Sequence, residues 1–397
     1  MRKIVVACFT TMLLLTLLSI GLACQEAPEP IDTGISRYGA EANPTGSPIG
    51  GGEGYTDIIE PGAAEFLVST RSELLNAIDE IASGGMSADI VGELPIRLAG
   101  VTPGKTIYVA DDARVDMTGE KNIVIPAGVT LASGRGRDGS PGGLIYTDDL
   151  KDASGKVWNT LFKVGDNVRI TGLRLRGPDS EIGRDAYEYE LYDGIAAQGS
   201  SGLEVDNCEI FNWSAAGIAL YESQTVHVHH NYVHHCHRTG YGYGVAVSGA
   251  TAAIEANLFD HNRHSIMGTM GYPLSNYEAC YNHVLEHANG HAIDMHGGND
   301  VNDASVPAGG TITIHHNTFE ETGHSALNIR GIPATGASVY ANWALYDPDE
   351  HSPEWIFLQS LDSLDGHTPY ERMEVYDNWY GTGAPPPTQP ASQNMMW

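Results

Sequence analysis

Between Tyr243 and Arg330 the sequence gathers side chains suited to moving protons beside an anion: Tyr243, Arg263, His264, His291, Asp294, His296, His324, Asn328 and Arg330. An imidazole with its ordinary pKa of about 6.5 takes or gives a proton at neutral pH. A guanidinium clamps a carboxylate through two parallel hydrogen bonds. A phenol can protonate a departing oxygen. Together these are the parts of a β-elimination on a uronate. The carboxylate must be neutralised, the proton α to it abstracted and the leaving oxygen protonated. In this reading His264 or His291 is the base, Arg330 or Arg263 neutralises the carboxylate and Tyr243 is the acid. Asp294, His296, Asn328, His324 and Tyr221 would bind the substrate.

Other chemistries compete for the same residues. A glycoside hydrolase needs two carboxylates ~5–9.5 Å apart. Only Asp294 stands clearly in the group, with Asp260 and Asp193 as distant partners. His291, Asp294 and His296 offer two imidazoles and a carboxylate to a transition metal. Asn299-Asp-Val-Asn-Asp303 offers oxygens to Ca²⁺. No cofactor is demanded by these spacings, and Ca²⁺ or another divalent metal is the one they would accept. A dense run, His227, His229, His230, His234, His235 and His237, alternates in direction and reads as a structural, solvated face.

Residues so far apart need a framework to meet. An asparagine recurs at 231, 257, 282, 317, 342 and 378, with intervals of 26, 25, 35, 25 and 36 residues. An apolar or small residue precedes each by three places: Val228, Ile254, Ala279, Ile314, Val339 and Val375. A repeat of roughly 20–50 residues signals a solenoid. A buried amide is costly unless paired, and amides stacked coil upon coil pair one another. The fold expected is all-β, a single right-handed parallel β-helix. A second column supports it: Ile195, Ile218, Val245, Ile266, Ile293, Leu327 and Phe357 fall inward on aligned segments, the last being Trp355-Ile-Phe-Leu. The outward neighbours are Ala196, Ala219, Ala246, Met267, Asp294 and Asn328, then Gln198, Tyr221, Ser248, Thr269, His296 and Arg330. With coils ~4.8 Å apart, the residues from Tyr243 to Arg330 form one patch.

The remaining segments frame this solenoid. Residues 1–23 read as a lipoprotein-type signal peptide: Arg2 and Lys3, an apolar run, and then Cys24 as the lipidated residue. Residues 24–62 read as a flexible tether and 63–100 as an N-terminal cap. The cap carries a helix with a Thr70-x-x-Glu73 capping box and an apolar stripe of Leu74, Leu75, Ile78 and Ile81. The β-helix occupies 101–381, and 382–397 is a Pro-rich disordered tail. Insertions at 297–310 and 347–368 leave the solenoid as loops. Cys208 falls on the ladder position and reads as a small core residue. The formal net charge of −29 argues against a nucleic-acid partner. Membrane contact is expected through the lipid alone, outside the cytoplasm, by a monomer.

The cap helix, the coil period and the asparagine ladder over roughly residues 65–381 resemble the pectate-lyase-like superfamily of right-handed β-helices. That superfamily holds polysaccharide lyases, polygalacturonase-type hydrolases and alginate epimerases. The resemblance implies a polysaccharide lying along one parallel sheet, in a groove walled by long loops. Asp260-His-Asn-Arg-His-Ser-Ile266 and Asp294-Met-His-Gly-Gly298 look motif-like, but no member's full catalytic motif is matched. No lysine follows Lys163, so a lysine base is excluded unless Lys163 reaches the site. The function expected is an exported polysaccharide lyase. A uronate epimerase, a hydrolase, a metal-handling β-helix and a non-catalytic glycan-binding or scaffold module are the alternatives.

Overall fold

The computed structural model describes residues 37–84, 104–152, 155–185, 187–347, 349–358 and 371–385. The signal segment with Cys24, the stretch 85–103, half of the 347–368 insertion and the tail beyond 385 lie outside the described residues.

Short strands wind into three sheets of eleven, ten and eight strands among the described residues, stacked in coil order. Their pairings are parallel, and the register follows the sequence columns. Val228, Ile254, Ala279, Ile314, Val339 and Val375 stack in one sheet. Ile195, Ile218, Val245, Ile266, Ile293 and Leu327 stack in another. Both columns are buried in the interior, because a period of two sends alternate side chains to one face.

The asparagines form the ladder. Asn231, Asn257, Asn282, Asn317 and Asn342 each donate Nδ2–H to the Oδ1 of the next, at 2.9–3.0 Å, ending on Asn378. Cys208 begins the column, its backbone N–H donating to Asn231 Oδ1, and its thiol is fully buried. The residue before each ladder position turns left-handed: Asn207, His230, Ala256, Tyr281, His316, Ala341 and Asp377 have φ between 49° and 55°. This tight corner aims each asparagine inward. At the N-terminal end, helix Arg71–Ala82 has its full capping box and buries Leu74, Ala77, Ile78 and Ile81, covering an edge that would otherwise stay open.

Two expectations are corrected. Trp355-Ile-Phe-Leu is not a strand but part of a short helix, Pro353–Leu358. Ile356 and Phe357 are buried all the same, Phe357 edge-on against Phe319. The described part of the expected tether, residues 37–62, is no free linker. It runs as a strap along the ladder corners, against coil order. Tyr38 donates to Asp377, the Gly39 N–H to the Ala341 carbonyl, the Gly50 N–H to the Ala256 carbonyl and Tyr55 to Asp206. The left-handed corners present carbonyls outward, and the strap's amides satisfy them.

Candidate active site

The eight-stranded sheet carries the site. Its outward column is Lys163, Ala196, Ala219, Ala246, Met267, Asp294 and Asn328 in direct register. The three alanines leave a trough. Trp158, Tyr221, Tyr241 and Tyr243 line it, and the cleft holds about 580 Å³. Lys163 and His296 also line it, as does Lys156, whose ammonium sits 4.9 Å from the Trp158 ring centre and 5.6 Å from that of Tyr241. Small residues on the floor, flat rings on the walls and two ammonium groups suit a ring-shaped anionic ligand.

Asp193 lies beneath this cleft, fully buried. Trp158 donates its indole N–H to Asp193 Oδ2 at 2.6 Å, and the Tyr221 hydroxyl donates to the same oxygen at 3.1 Å. Burial pushes the Asp193 carboxyl up to about 7, against the pull of these two donors. Burial also pushes the Tyr221 phenol up. A phenol that remains protonated is thus coupled to a carboxyl that titrates near neutrality, a combination typical of sites that move protons.

The expected patch from Tyr243 to Arg330 does assemble, but largely as a closed internal network. Tyr243, His264 and His291 stack coil upon coil, ring centres 5.9 and 6.1 Å apart, with planes within 13° and 4°. His264 is 1 % exposed. Its Nδ1–H donates to the His291 carbonyl at 2.7 Å, and Nε2 lies 3.2 Å from Asp294 Oδ2. Burial pushes this imidazole down to about 3, so it is neutral and out of reach of a ligand. His291 is held by Ser325 at 2.8 Å, and burial lowers it too. His324 stands edge-on to His291 at 6.0 Å on the exposed side. Arg263 lies 6.0 Å from the Tyr243 ring centre, and Asn328 is buried beside Asp294.

Arg330 does not await a substrate carboxylate. It donates through Nε and Nη2 to the two oxygens of Asp294, at 2.7 and 2.6 Å, and through Nη1 to Asp300 at 3.2 Å. Burial alone would raise the Asp294 carboxyl, but the Arg330 guanidinium, paired to both its oxygens, outweighs it and holds it low. The metal expected on His291, Asp294 and His296 fails for the same reason. The guanidinium fills the cation's seat, and the three side chains are not among the clusters whose ligand atoms converge. Arg330→Ala would leave a buried carboxylate unpaired, a loss of ~3–5 kcal/mol. Urea unfolding should show it, with Arg330→Ala/Asp294→Asn recovering part of the difference.

Of the expected residues, then, Tyr221, Tyr243 and His296 line the cleft. His296 is oriented by Asp300 through Nδ1 at 2.9 Å. Asp294, Arg330, His264 and Asn328 build the cleft's C-terminal end from within. Lys163 also lines the cleft, beside the alanine column. Trp158, Tyr241 and Lys156 were missed. Their signal was available in Lys156-x-Trp158 and Tyr241-x-Tyr243, ring-bearing residues at the mouths of strands that enter the alanine column.

Residues 165–342 match the family model described as the right handed beta helix region. The chain is a right-handed parallel β-helix protein. Among solved structures this β-helix is similar to an alginate lyase from Paenibacillus at 13 % identity, TM-score 0.47, covering 79 % of this chain and 94 % of that one. It is also similar to a family 28 exopolygalacturonase from Yersinia enterocolitica at 13 % identity, TM-score 0.43, covering 83 % and 66 %. A third is the tailspike of an Acinetobacter baumannii bacteriophage, a capsular polysaccharide depolymerase, at 9 % identity, TM-score 0.31, covering 81 % and 62 %. No curated protein matches the β-helix in sequence. At these identities the likeness is one of fold.

Proposed function

We propose that this β-helix is a carbohydrate-active enzyme that cleaves an anionic, uronate-containing polysaccharide by β-elimination. The observation that carries the proposal is the alanine-floored cleft, in which aromatic rings, Lys163 and the Tyr221–Asp193 pair meet. Lys163 binds the uronate carboxylate and neutralises the charge that builds on it as the α-proton leaves. The Tyr221 oxygen takes that proton while passing its own to Asp193. The electron pair released forms the carbon–carbon double bond as the glycosidic C–O bond breaks. Tyr243, one coil beyond Tyr221, protonates the departing oxygen. Asp193 ends one proton richer and Tyr243 one poorer, and solvent resets both.

Two-carboxylate hydrolysis is less well supported. Asp193 pairs to Ala216, Tyr243 and His264 in turn, and Asp294 belongs to the coil after His264. Four coil steps of ~4.8 Å put the two carboxylates roughly 19 Å apart. Hydrolases hold theirs at about 5–9.5 Å.

The test is the ultraviolet absorbance of unsaturated uronate when mature protein meets a panel of pectate, alginate and heparinoid polymers. A rise in absorbance with chain shortening is the expected result. New reducing ends without absorbance would mean hydrolysis, and a changed uronate configuration in intact chains would mean epimerisation. No reaction on any polymer would move the reading to a glycan-binding or scaffold module. The rate should also report Asp193. Its ionised form is the proton acceptor, so activity should rise with pH through about 7. Stability should move the other way. The unfolded chain releases this proton near pH 4 and the folded chain holds it until about 7, so ionisation of this group destabilises the fold across that window.

Export and lipidation at Cys24 belong to the same proposal, because a polymer substrate lies outside the cell. Among the described residues no helix is long and apolar enough to cross a membrane. Cys24→Ala should release the protein from the membrane fraction; retention would remove lipidation from the reading.

A further inference from the structure

The corner that leads from the ten-stranded sheet into the groove sheet carries a second cluster, away from the cleft. Strand Leu258–Asp260 ends in Asp260. His261 follows in the left-handed conformation, φ 51°, and His287 comes one coil later. Asp260 Oδ1 lies 3.0 Å from His287 Nδ1, and Asp260 Oδ2 lies 2.8 Å from His261 Nδ1. The rings of His235, His261 and His287 are stacked 4.3 Å apart, with planes within 8° and 11°. The carboxylate is nearly buried, while the His261 and His287 side chains are 30 % and 49 % exposed. The cluster is therefore rigid on its inner side and open to solvent on its outer side.

Three features separate it from an ordinary hydrogen-bonded surface turn. Its three ligand atoms lie within 4.8 Å of one another. His261 Nδ1, although 2.8 Å from the carboxylate, is buried and makes no well-directed hydrogen bond. Finally, among the described residues Asp260 forms ion pairs with the two histidines alone. The comparable cluster of Glu204, Asp206 and His229 instead has the Arg169 guanidinium on Asp206, which fills the place of a cation.

We propose that Asp260, His261 and His287 hold a divalent transition-metal ion. Metal–donor bonds of ~2.0–2.2 Å require donors somewhat over 3 Å apart, and because the His261 and His287 ring planes lie within 11° of parallel, one ring must turn about its side-chain torsion to aim its nitrogen at the ion. Two imidazole nitrogens and one carboxylate favour Zn²⁺ and its neighbours over Ca²⁺ or Mg²⁺, which prefer oxygen. The open outer face leaves a coordination position for water. Along the chain the ligands stand three residues before His264 and four before His291, at the corners from which two groove strands start. The ion would therefore brace the C-terminal half of the cleft without entering it. The inference does not depend on what the cleft binds.

The test is titration of chelator-stripped, full-length mature protein with Zn²⁺ alone, followed calorimetrically and by elemental analysis after gel filtration. Co²⁺ serves as a coloured probe of the ligand field. One ion per chain is expected. Asp260→Asn and His287→Gln should each weaken binding by roughly 10²-fold and abolish the Co²⁺ visible bands. His227→Gln, at a histidine outside this cluster, should leave both unchanged. If Asp260→Asn fails to fold, His287→Gln decides, since that side chain is half exposed and its removal leaves the fold intact by circular dichroism. Absence of uptake by the unaltered protein, or uptake that survives His287→Gln, would overturn the proposal.

Discussion

Tyr221→Phe is expected to lower turnover of the uronate polymer by ~10²–10⁴-fold, with KM changed much less. The ring that lines the cleft remains, so stacking against a sugar remains. What disappears is the hydroxyl that connects the reacting carbon to Asp193 Oδ2, 3.1 Å away. Asp193 is fully buried and cannot take the proton directly. Lys163→Ala should behave differently. Without the ammonium the substrate carboxylate binds less well and its developing charge goes unbalanced, so KM rises and kcat falls together, the latter by ~10²–10³-fold. His264→Gln separates this mechanism from the one the sequence suggests. A catalytic imidazole at that position would make the variant inactive. A buried ring donating to the His291 carbonyl predicts lower stability with the chemistry retained. Full activity in Tyr221→Phe would sink the proton relay.

The patch expected from the sequence and the cleft differ in which residues face outward and which find partners first. Column order was legible because strand periodicity fixes faces and the asparagine spacing fixes coil boundaries. Tyr221, Tyr243 and His296 accordingly line the cleft. The sequence could not show that Arg330 would close on Asp294 and Asp300, since all three were equally available to a ligand on paper. Sequence separation hides Lys163, which lies 80 residues before Tyr243. Yet it stands at the head of the alanine column and lines the cleft, and column position matters more here than sequence distance. Asp193 was set aside as remote from Asp294, which it is, although its useful neighbours are Trp158 and Tyr221. The strap was misread for a related reason. Gly, Pro and small residues describe a linker when nothing lies beside them. Here Tyr38, Gly39, Gly50 and Tyr55 find partners on coils some 150–340 residues further along the chain. The Trp355–Leu358 segment shows the limit of periodicity itself, because four residues of an apolar run fit a strand or a helix turn equally well.

The ladder supports the sharpest stability prediction. In the folded protein Asn282 Oδ1 accepts from the backbone N–H and side-chain Nδ2 of Asn257, at 3.0 and 2.9 Å. Its own Nδ2 donates to the Ile254 carbonyl and to Asn317 Oδ1, at 2.8 and 2.9 Å. Asn282→Ala strips partners from four buried groups at once, where each orphan costs ~1–3 kcal/mol. Partial relaxation and the bonds that remain should bring the loss to about 3–6 kcal/mol. Asn282→Asp is the more informative variant, because it keeps the shape and one acceptor oxygen. The second oxygen, where Nδ2 stood, would face Ile254 O and Asn317 Oδ1 as a third acceptor. A protonated carboxyl can still donate one hydrogen bond there, whereas a carboxylate can donate none. The folded state therefore raises this group's pKa above its unfolded value of about 3.9. With the folded form holding the proton longer, stability is greatest below that pH and falls as the pH rises through the raised value. Denaturant midpoints for Asn282→Asp should thus approach those of the unaltered protein in acid and diverge towards neutrality, while the Asn282→Ala deficit stays roughly constant. A pH-independent deficit in Asn282→Asp would mean that the corner gives way to water, and that the amide stack is not what closes the coil.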